Sequence, residues 1–288
     1  MAYPKIKKTG TAMNENKKGD VLKAGYFSIA KIDVHVIRQM YQVFSQYYEN
    51  TTWDVFLQDL SKKTGAFIMR NSAGRVVGFS TVMTCKVMVG GRPVNGVFSG
   101  DTILERAYWG SRALQLEFFK FLVAEKARHP FNPVYWFLIS KGFKTYLLLA
   151  NNFYTFYPRH DGHASYLGDI VDAYCEQMFP AYYNRERRLL DFGHDYSPLR
   201  SDVAEITDRM REDNPSIRYF EDLNPEWRRG TELPCVGELR WVDLMKFTVR
   251  YATKPASKGR LDAEGATPAQ AQSKSRLKSV VALRSVGN

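Results

Sequence analysis

The sequence predicts an α/β domain: a mixed, mostly antiparallel sheet flanked by helices, followed by a mainly helical C-terminal extension. Three observations predict it. Short runs rich in β-formers alternate with amphipathic runs of helical period. Glycine and asparagine turns join three successive strand runs between residues 66 and 103. At Leu114 the apolar spacing changes abruptly from strand-like to helical, so a strand passes through a polar, glycine-containing turn into a mostly buried helix.

The elements follow in order. Residues 1–24 are rich in Lys, Asn, Gly and Thr, and read as a flexible basic tail. Tyr26–Ile32 reads as a first strand. Asp33 is placed to cap a helix reaching about Tyr48, because Ile37, Met40, Tyr41, Phe44 and Tyr48 share one face. Thr51 or Thr52 caps a second helix carrying Trp53, Phe56, Leu57 and Leu60. Ala66–Arg70 and Val76–Val89 read as strands joined by an Asn71 turn, and Gly90-Gly91 returns the chain into a strand over 94–103. The helix from Leu114 presents Phe118, Phe121, Leu122 and Glu125. His129-Pro-Phe-Asn-Pro breaks it, and Val134–Ile139 is a buried strand that a strand–helix–strand connection makes parallel to an earlier one. Phe143–Phe153 is a further helix. A domain over 25–160 is then followed by an extension over 161–253. There, Leu167, Ile170, Val171, Tyr174 and Met178 make one helical face. Val203, Ile206 and Met210 make another, closed by Asn214-Pro215. Trp241, Leu244 and Met245 suit a last helix, while the alternation from Phe247 also allows a strand. Residues 254–288 read as a disordered basic tail.

Composition narrows the function classes. The 288 residues are 44% hydrophobic and 25% charged, ordinary for a globular chain, while 14% aromatic is high. Of the net charge of +11, residues 1–24 carry +4 and residues 254–288 carry +5, leaving +2 for the rest. The basic character lies in the tails, so a nucleic-acid-binding fold, which needs basic residues on a structured surface, is disfavoured. The tails, including 277–286, leave an anionic membrane surface open as a partner. No apolar run is long enough to cross a bilayer and no secretory signal is visible. Cys85, Cys175 and Cys235 have neither metal nor disulfide spacing, which suits a reducing cytoplasm. His160-Asp-Gly-His163 has a chelating look without further ligands nearby. Ser99 lacks the glycine two places to either side that a nucleophile elbow requires. Arg185-Glu-Arg-Arg188 is a basic cluster that reads either as a solvated face or as a dock for an acidic helix.

The helix start near Leu114 offers backbone N–H groups and a positive dipole end to an anion. In that turn, Leu104-Glu-Arg-Ala-Tyr108-Trp109-Gly110 resembles the general N-acetyltransferase (GNAT) superfamily at Leu104, Tyr108 and Gly110. The order strand, helix, helix, three-strand meander, helix, strand, helix is similar to that family too, over about residues 25–157. The family's Q/R-x-x-G-x-G/A loop is altered, with Trp109, Arg112 and Leu114 at its key places. The resemblance implies acyl transfer from a thioester, acyl-CoA or acyl-phosphopantetheine on an acyl carrier protein, to a small primary amine. It extends to the N-acyl amino acid synthases, which take their donor from acyl carrier protein.

On that resemblance, Thr102, Leu104, Tyr108, Gly110, Ser111, Arg112 and Asn152 are the donor-binding candidates. Asp101, near the end of the strand, or Glu105, in the turn, is the base. The family's acid, a helix Tyr, aligns with Leu148 here, so Tyr146 and Tyr154 are the nearest candidates, and Tyr154 is the one taken. No metal is implied. The rival expectation is a non-catalytic protein of the same fold whose basic tails bind a polyanion.

Overall fold

The computed structural model describes residues 21–47, 52–109, 111–193 and 206–246. β1 (Lys23–Ser28) leads through a 3-10 turn into α1 (Val34–Ser45) and α2 (Trp53–Ser61). Then come β2 (Gly65–Arg70), β3 (Val76–Val89), β4 (Arg92–Leu104), α3 (Ala113–Arg128), β5 (Val134–Ser140) and α4 (Phe143–Asn152). The chain continues with β6 (Phe156–Tyr157), α5 (Leu167–Met178), β7 (Tyr183–Asn184) and β8 (Leu189–Leu190). It ends in α6 (Asp208–Asp213), α7 (Pro215–Leu223), β9 (Leu233–Glu238) and a helical turn over 241–246. The expected mixed sheet flanked by helices is present, in the expected order through α4.

Local chemistry sets many of these boundaries. The Asp33 carboxylate accepts from His35 N at 2.7 Å, and Thr52 Oγ1, rather than Thr51, accepts from Val55 N at 3.3 Å. Each oxygen satisfies an N–H that a helix start leaves unpaired. Gly90 and Gly91 have φ of +54° and +77°, the left-handed pair that lets a two-residue turn match the twist of β3 and β4.

The main sheet has the order β1-β2-β3-β4-β5-β9-β6, and β4–β5 is its one parallel pair. α1 and α2 cover one face through Met40, Phe44, Phe56 and Leu60, which pack on Ile68, Phe79 and Ile103. α5 covers the same face further along, with Tyr174 stacked on Phe137 at 4.5 Å. α3 and α4 cover the other face, where Phe121, Leu122, Tyr146 and Leu149 meet Phe67, Val97 and Trp136.

Two expectations for the extension are corrected. Leu233–Glu238 lies in an extension expected to be mainly helical, yet it forms β9, which inserts between β5 and β6, with Ser140 opposite Leu233 and Tyr135 opposite Glu238. β6 pairs only with Val236 and Gly237, so at Pro234 β9 has β5 as its one ladder neighbour and sits like an edge strand, where proline is tolerated. Asn214-Pro215 starts a helix as well as ending one: Asn214 Oδ1 accepts from Ser216 N at 3.0 Å and Pro215 occupies the first turn of α7. The expected strand from Phe247, residues 254–288 and residues 1–20 lie outside the described residues, whereas Lys23 and Ala24, expected in the basic tail, open β1 opposite Arg70 and Met69 because their backbone completes the β2 edge.

Candidate functional site

β4 and β5 are hydrogen-bonded only from Asn95 opposite Val134 to Phe98 opposite Phe137. Beyond that point the strands part. β4 runs on to Leu104 and β5 to Ser140, so the facing edges from Ser99 and Leu138 onward leave an opening between parallel strands. The cause lies on the other side of β4. Val82 pairs with Ser99, but Ser80 pairs with Thr102, so β4 carries one extra residue within Gly100–Asp101. Such a bulge bends and twists its strand, here at the place where pairing to β5 stops. Gly100 is required there, since a Cβ would stand 2.4 Å from Thr81 Oγ1.

Asp101 sits in this bulge and is buried, with 9% of its surface exposed. Burial raises its carboxyl to about 6; Lys63 opposes the rise and Asp59 adds to it. Those two residues pair with each other at the end of α2, Lys63 Nζ to Asp59 Oδ2 at 3.4 Å. A Cβ on Gly100 would lie 3.7 Å from Lys63 Nζ, so the ammonium borders the bulge. Thr81 Oγ1, opposite the bulge, is buried without a hydrogen-bond partner. Lys63, Asp59 and Thr81 have no motif to mark them in the sequence. Thr81 was still reachable: counting back along the hairpin from Gly90-Gly91 places it across from Gly100.

The second candidate base is differently placed. Glu105 accepts from Arg75 through both oxygens, at 2.5 and 2.7 Å, which ties the end of β4 to the β2–β3 turn. Thr102, Leu104, Tyr108, Ser111 and Arg112 cluster at the same end of the sheet, whereas Asn152, at the end of α4, stands toward the start of β5. Thr102 Oγ1 lies 2.7 Å from Ser80 Oγ. Leu104 O accepts from Trp109 Nε1 at 2.9 Å, and Leu104, Tyr108, Trp109 and Leu114 pack together, fixing the turn. Tyr108 OH accepts from Asn71 Nδ2 at 3.3 Å. Ser111 Oγ accepts from Ala113 N at 3.3 Å, and exposed Arg112 occupies the position before α3 without a side-chain cap. Gly110 lies outside the described residues.

Across the opening, Trp136 Nε1 donates to Ser99 Oγ at 3.0 Å. The rings of Phe118 and Phe153 each lie 5.1 Å from that of Trp136. Three aromatic rings from α3, β5 and the end of α4 therefore form an apolar floor where the strands diverge, a feature periodicity alone reads as ordinary core. Tyr146, one acid candidate, is fully buried, donates to Pro158 O at 2.9 Å, and has its phenol pushed well up by burial. Tyr154 is 36% exposed, with Lys246 Nζ 4.9 Å from its ring centre. Asn152 Nδ2 donates to Leu148 O at 2.7 Å, capping the end of α4.

The remaining candidates are spent elsewhere or isolated. Arg188 donates to Asp172 at 3.1 and 3.0 Å, Arg185 pairs with Glu176, and Arg187 approaches Glu226 at 3.5 Å. Among the described residues no cluster of three or more His, Cys, Asp or Glu could hold a metal ion, and no helix is long and apolar enough to cross a membrane. The three cysteines are free.

No protein-family model and no curated protein sequence matches the chain. Similar solved structures include proteins described as acyltransferases or GNAT-family acetyltransferases. An Enterococcus faecalis V583 protein described as a probable N-acyltransferase is 13% identical, over 45% of this chain and 31% of that one, with a TM-score of 0.36. Escherichia coli ElaA is 14% identical, over 48% and 88%, with a TM-score of 0.34. The E. coli GNAT-family N-acetyltransferase YhbS, in complex with CoA, is 13% identical over 42% and 64%, with a TM-score of 0.31. The chain thus spans about a third of the Enterococcus protein.

Proposed function

We propose that this chain is an N-acyltransferase that moves an acyl group from a thioester donor to a primary amine. The observation that carries this reading is the parting of β4 from β5 beside a buried carboxylate at the β4 bulge. An opened strand edge offers its N–H and C=O groups to an extended ligand that carries amides of its own. The pantetheine arm of acyl-CoA, or of an acylated carrier protein, is such a ligand. Its phosphate would sit at the Ser111–Arg112 turn, where the α3 dipole and a guanidinium both favour an anion. Trp136, Phe118 and Phe153 suit an apolar acyl chain.

The chemistry follows from the placement. The amine nitrogen attacks the thioester carbonyl and loses a proton as the N–C bond forms. Asp101, raised to about 6, is ionised at neutral pH yet basic enough to take that proton. The C–S bond then breaks and the thiolate leaves, taking its proton from solvent, because Tyr154, next to Thr155 and Glu238 by the start of β5, stands away from the opening. Glu105, held by Arg75, organises the turn instead. Thr81 offers a hydroxyl to the substrate beside Gly100.

The test measures donor binding and turnover together. Binding of an acyl-CoA and of acyl carrier protein is followed by calorimetry, and thiol release is followed with amines as acceptors. Arg112→Glu is expected to weaken donor binding at least about tenfold, by removing a charge-assisted contact and adding a repulsive one. Asp101→Asn is expected to lower turnover about 10²-fold or more while sparing donor affinity. Absence of donor binding, with salt-sensitive binding of polyanions through the tails, would replace the enzyme with the non-catalytic reading.

A further inference from the structure

The turn after α2 brings a largely buried lysine to the bulge. The Lys63 backbone N–H donates to Leu60 O at 3.1 Å as the helix ends. Thr64 then ties the turn to β3. Its N–H donates to Val82 O at 3.0 Å, and its hydroxyl accepts from Thr84 N at 2.9 Å. The stem of Lys63 therefore starts from a tethered backbone. A lysine that served only the negative end of α2 would keep its ammonium in water. Lys62 is exposed in that way, whereas the side chain of Lys63 is 13% exposed and its Nζ borders Gly100.

Two carboxylates share that one ammonium. Asp59 Oδ2 lies 3.4 Å from Lys63 Nζ, and the other is Asp101, buried in the bulge. Among the described residues, the charged groups that act on Asp101 are these two: Lys63 favours its ionised form, and Asp59 opposes it. Its neighbours in β3 and β4, Ser80, Thr81, Gly100 and Thr102, carry no charge. α1, which packs beside Ile103, presents Met40 and Phe44 there, and Glu105 is occupied by Arg75. Burial works against a charged Asp101, so this ammonium decides whether the carboxylate can stand ready. The second carboxylate has its own use. When Asp101 takes a proton it becomes neutral, and Asp59 remains to balance the ammonium.

We propose, on the acyl-transfer reading above, that Lys63 is a positioning residue for that reaction: tethered by Asp59, its ammonium supplies the charge that keeps Asp101 ready as the base. Lys63 acts through Asp101 rather than on the donor or the amine. The loss of Lys63 leaves two carboxylates facing each other at the bulge. The loss of Asp59 gives the ammonium wholly to Asp101.

The test titrates the resting protein and its turnover side by side. The Asp101 carboxyl is followed by NMR of isotope-labelled aspartate, assigned with Asp101→Asn. Lys63→Met is expected to raise its midpoint by about one to two pH units, Lys63→Arg to keep it, and Asp59→Asn to lower it. The acid limb of turnover should move with the midpoint, so that Lys63→Met loses about two- to tenfold at pH 7 and recovers by pH 9, with donor affinity unchanged. Lys62→Met, at the exposed neighbour, should move neither. A midpoint that stays in place in Lys63→Met would overturn the role of Lys63, whatever the activity. So would a fall in turnover that is equal at every pH, the mark of a merely structural loss. Midpoints that shift as expected in a chain without acyl transfer would instead overturn the acyl-transfer reading, and the role in that reaction with it.

Discussion

Replacing Asp101 by Asn should stabilise the protein at neutral pH, and the amount can be worked from the carboxyl's environment. The group is buried in the bulge of β4, and its carboxyl moves from an ordinary 3.8 to about 6. A raised carboxyl means that the folded state binds the proton more tightly than the unfolded chain. Below about pH 4 both states hold the proton and nothing is lost. As pH rises from about 4 to 6 the unfolded chain ionises first, and stability falls. Above pH 6 the full penalty is present, roughly 3 kcal/mol for a shift of about two units. Asn has the same shape and no charge to bury. Lys63 would lose one neighbouring carboxylate but keep Asp59 at 3.4 Å. The expected gain is therefore about 2–3 kcal/mol at pH 7.5, shrinking to about half of that at pH 5. Urea denaturation of both proteins at the two pH values measures it. A destabilised Asp101→Asn at pH 7.5, or a gap that does not change with pH, would show that the carboxylate is not held at a cost. Greater stability combined with lost turnover would mark the residue as one kept for chemistry.

Asp172, 3% exposed, relies on Arg188 for two hydrogen bonds and on the Tyr183 hydroxyl, at 2.5 Å, for a third. Arg188→Met should cost about 2–3 kcal/mol, below the usual loss for a fully buried pair because Arg188 is partly exposed and Arg185 stays 3.9 Å away; an unchanged urea midpoint would refute this. The thiols should be inert in the folded protein. Burial pushes Cys85 and Cys235 up to about 12 and raises Cys175 further. A disulfide reagent at pH 8 should therefore label almost none of the 3 cysteines until urea is added, whereas rapid labelling of the native protein would contradict the packing around them.

Much of the fold was legible in the residues because the signals were local. Asp33 and Thr52 cap helices with their own side chains, Gly90-Gly91 supplies its own turn geometry, and the apolar period of α3 depends only on its neighbours in sequence. The β4–α3 junction was legible in the same way. What stayed hidden involved partners far along the chain. β9 is a strand because Leu233–Glu238 finds the β5 edge more than ninety residues earlier, and nothing beside Pro234 announces that edge. Arg185, Arg187 and Arg188 read as a basic cluster until Glu176, Glu226 and Asp172 are brought to them.

The sequence by itself determined where helices start, where the hairpin turns, and which carboxylates stand near the end of β4. These follow from backbone conformation and hydrogen bonds within a few residues. Only the tertiary structure decided that β4 bulges at Gly100–Asp101, that β5 leaves it after Phe98, and that Asp101 rather than Glu105 is buried beside a lysine. Strand register and burial depend on pairing and exclusion of water between distant segments, and neither is set by the residues of one segment alone.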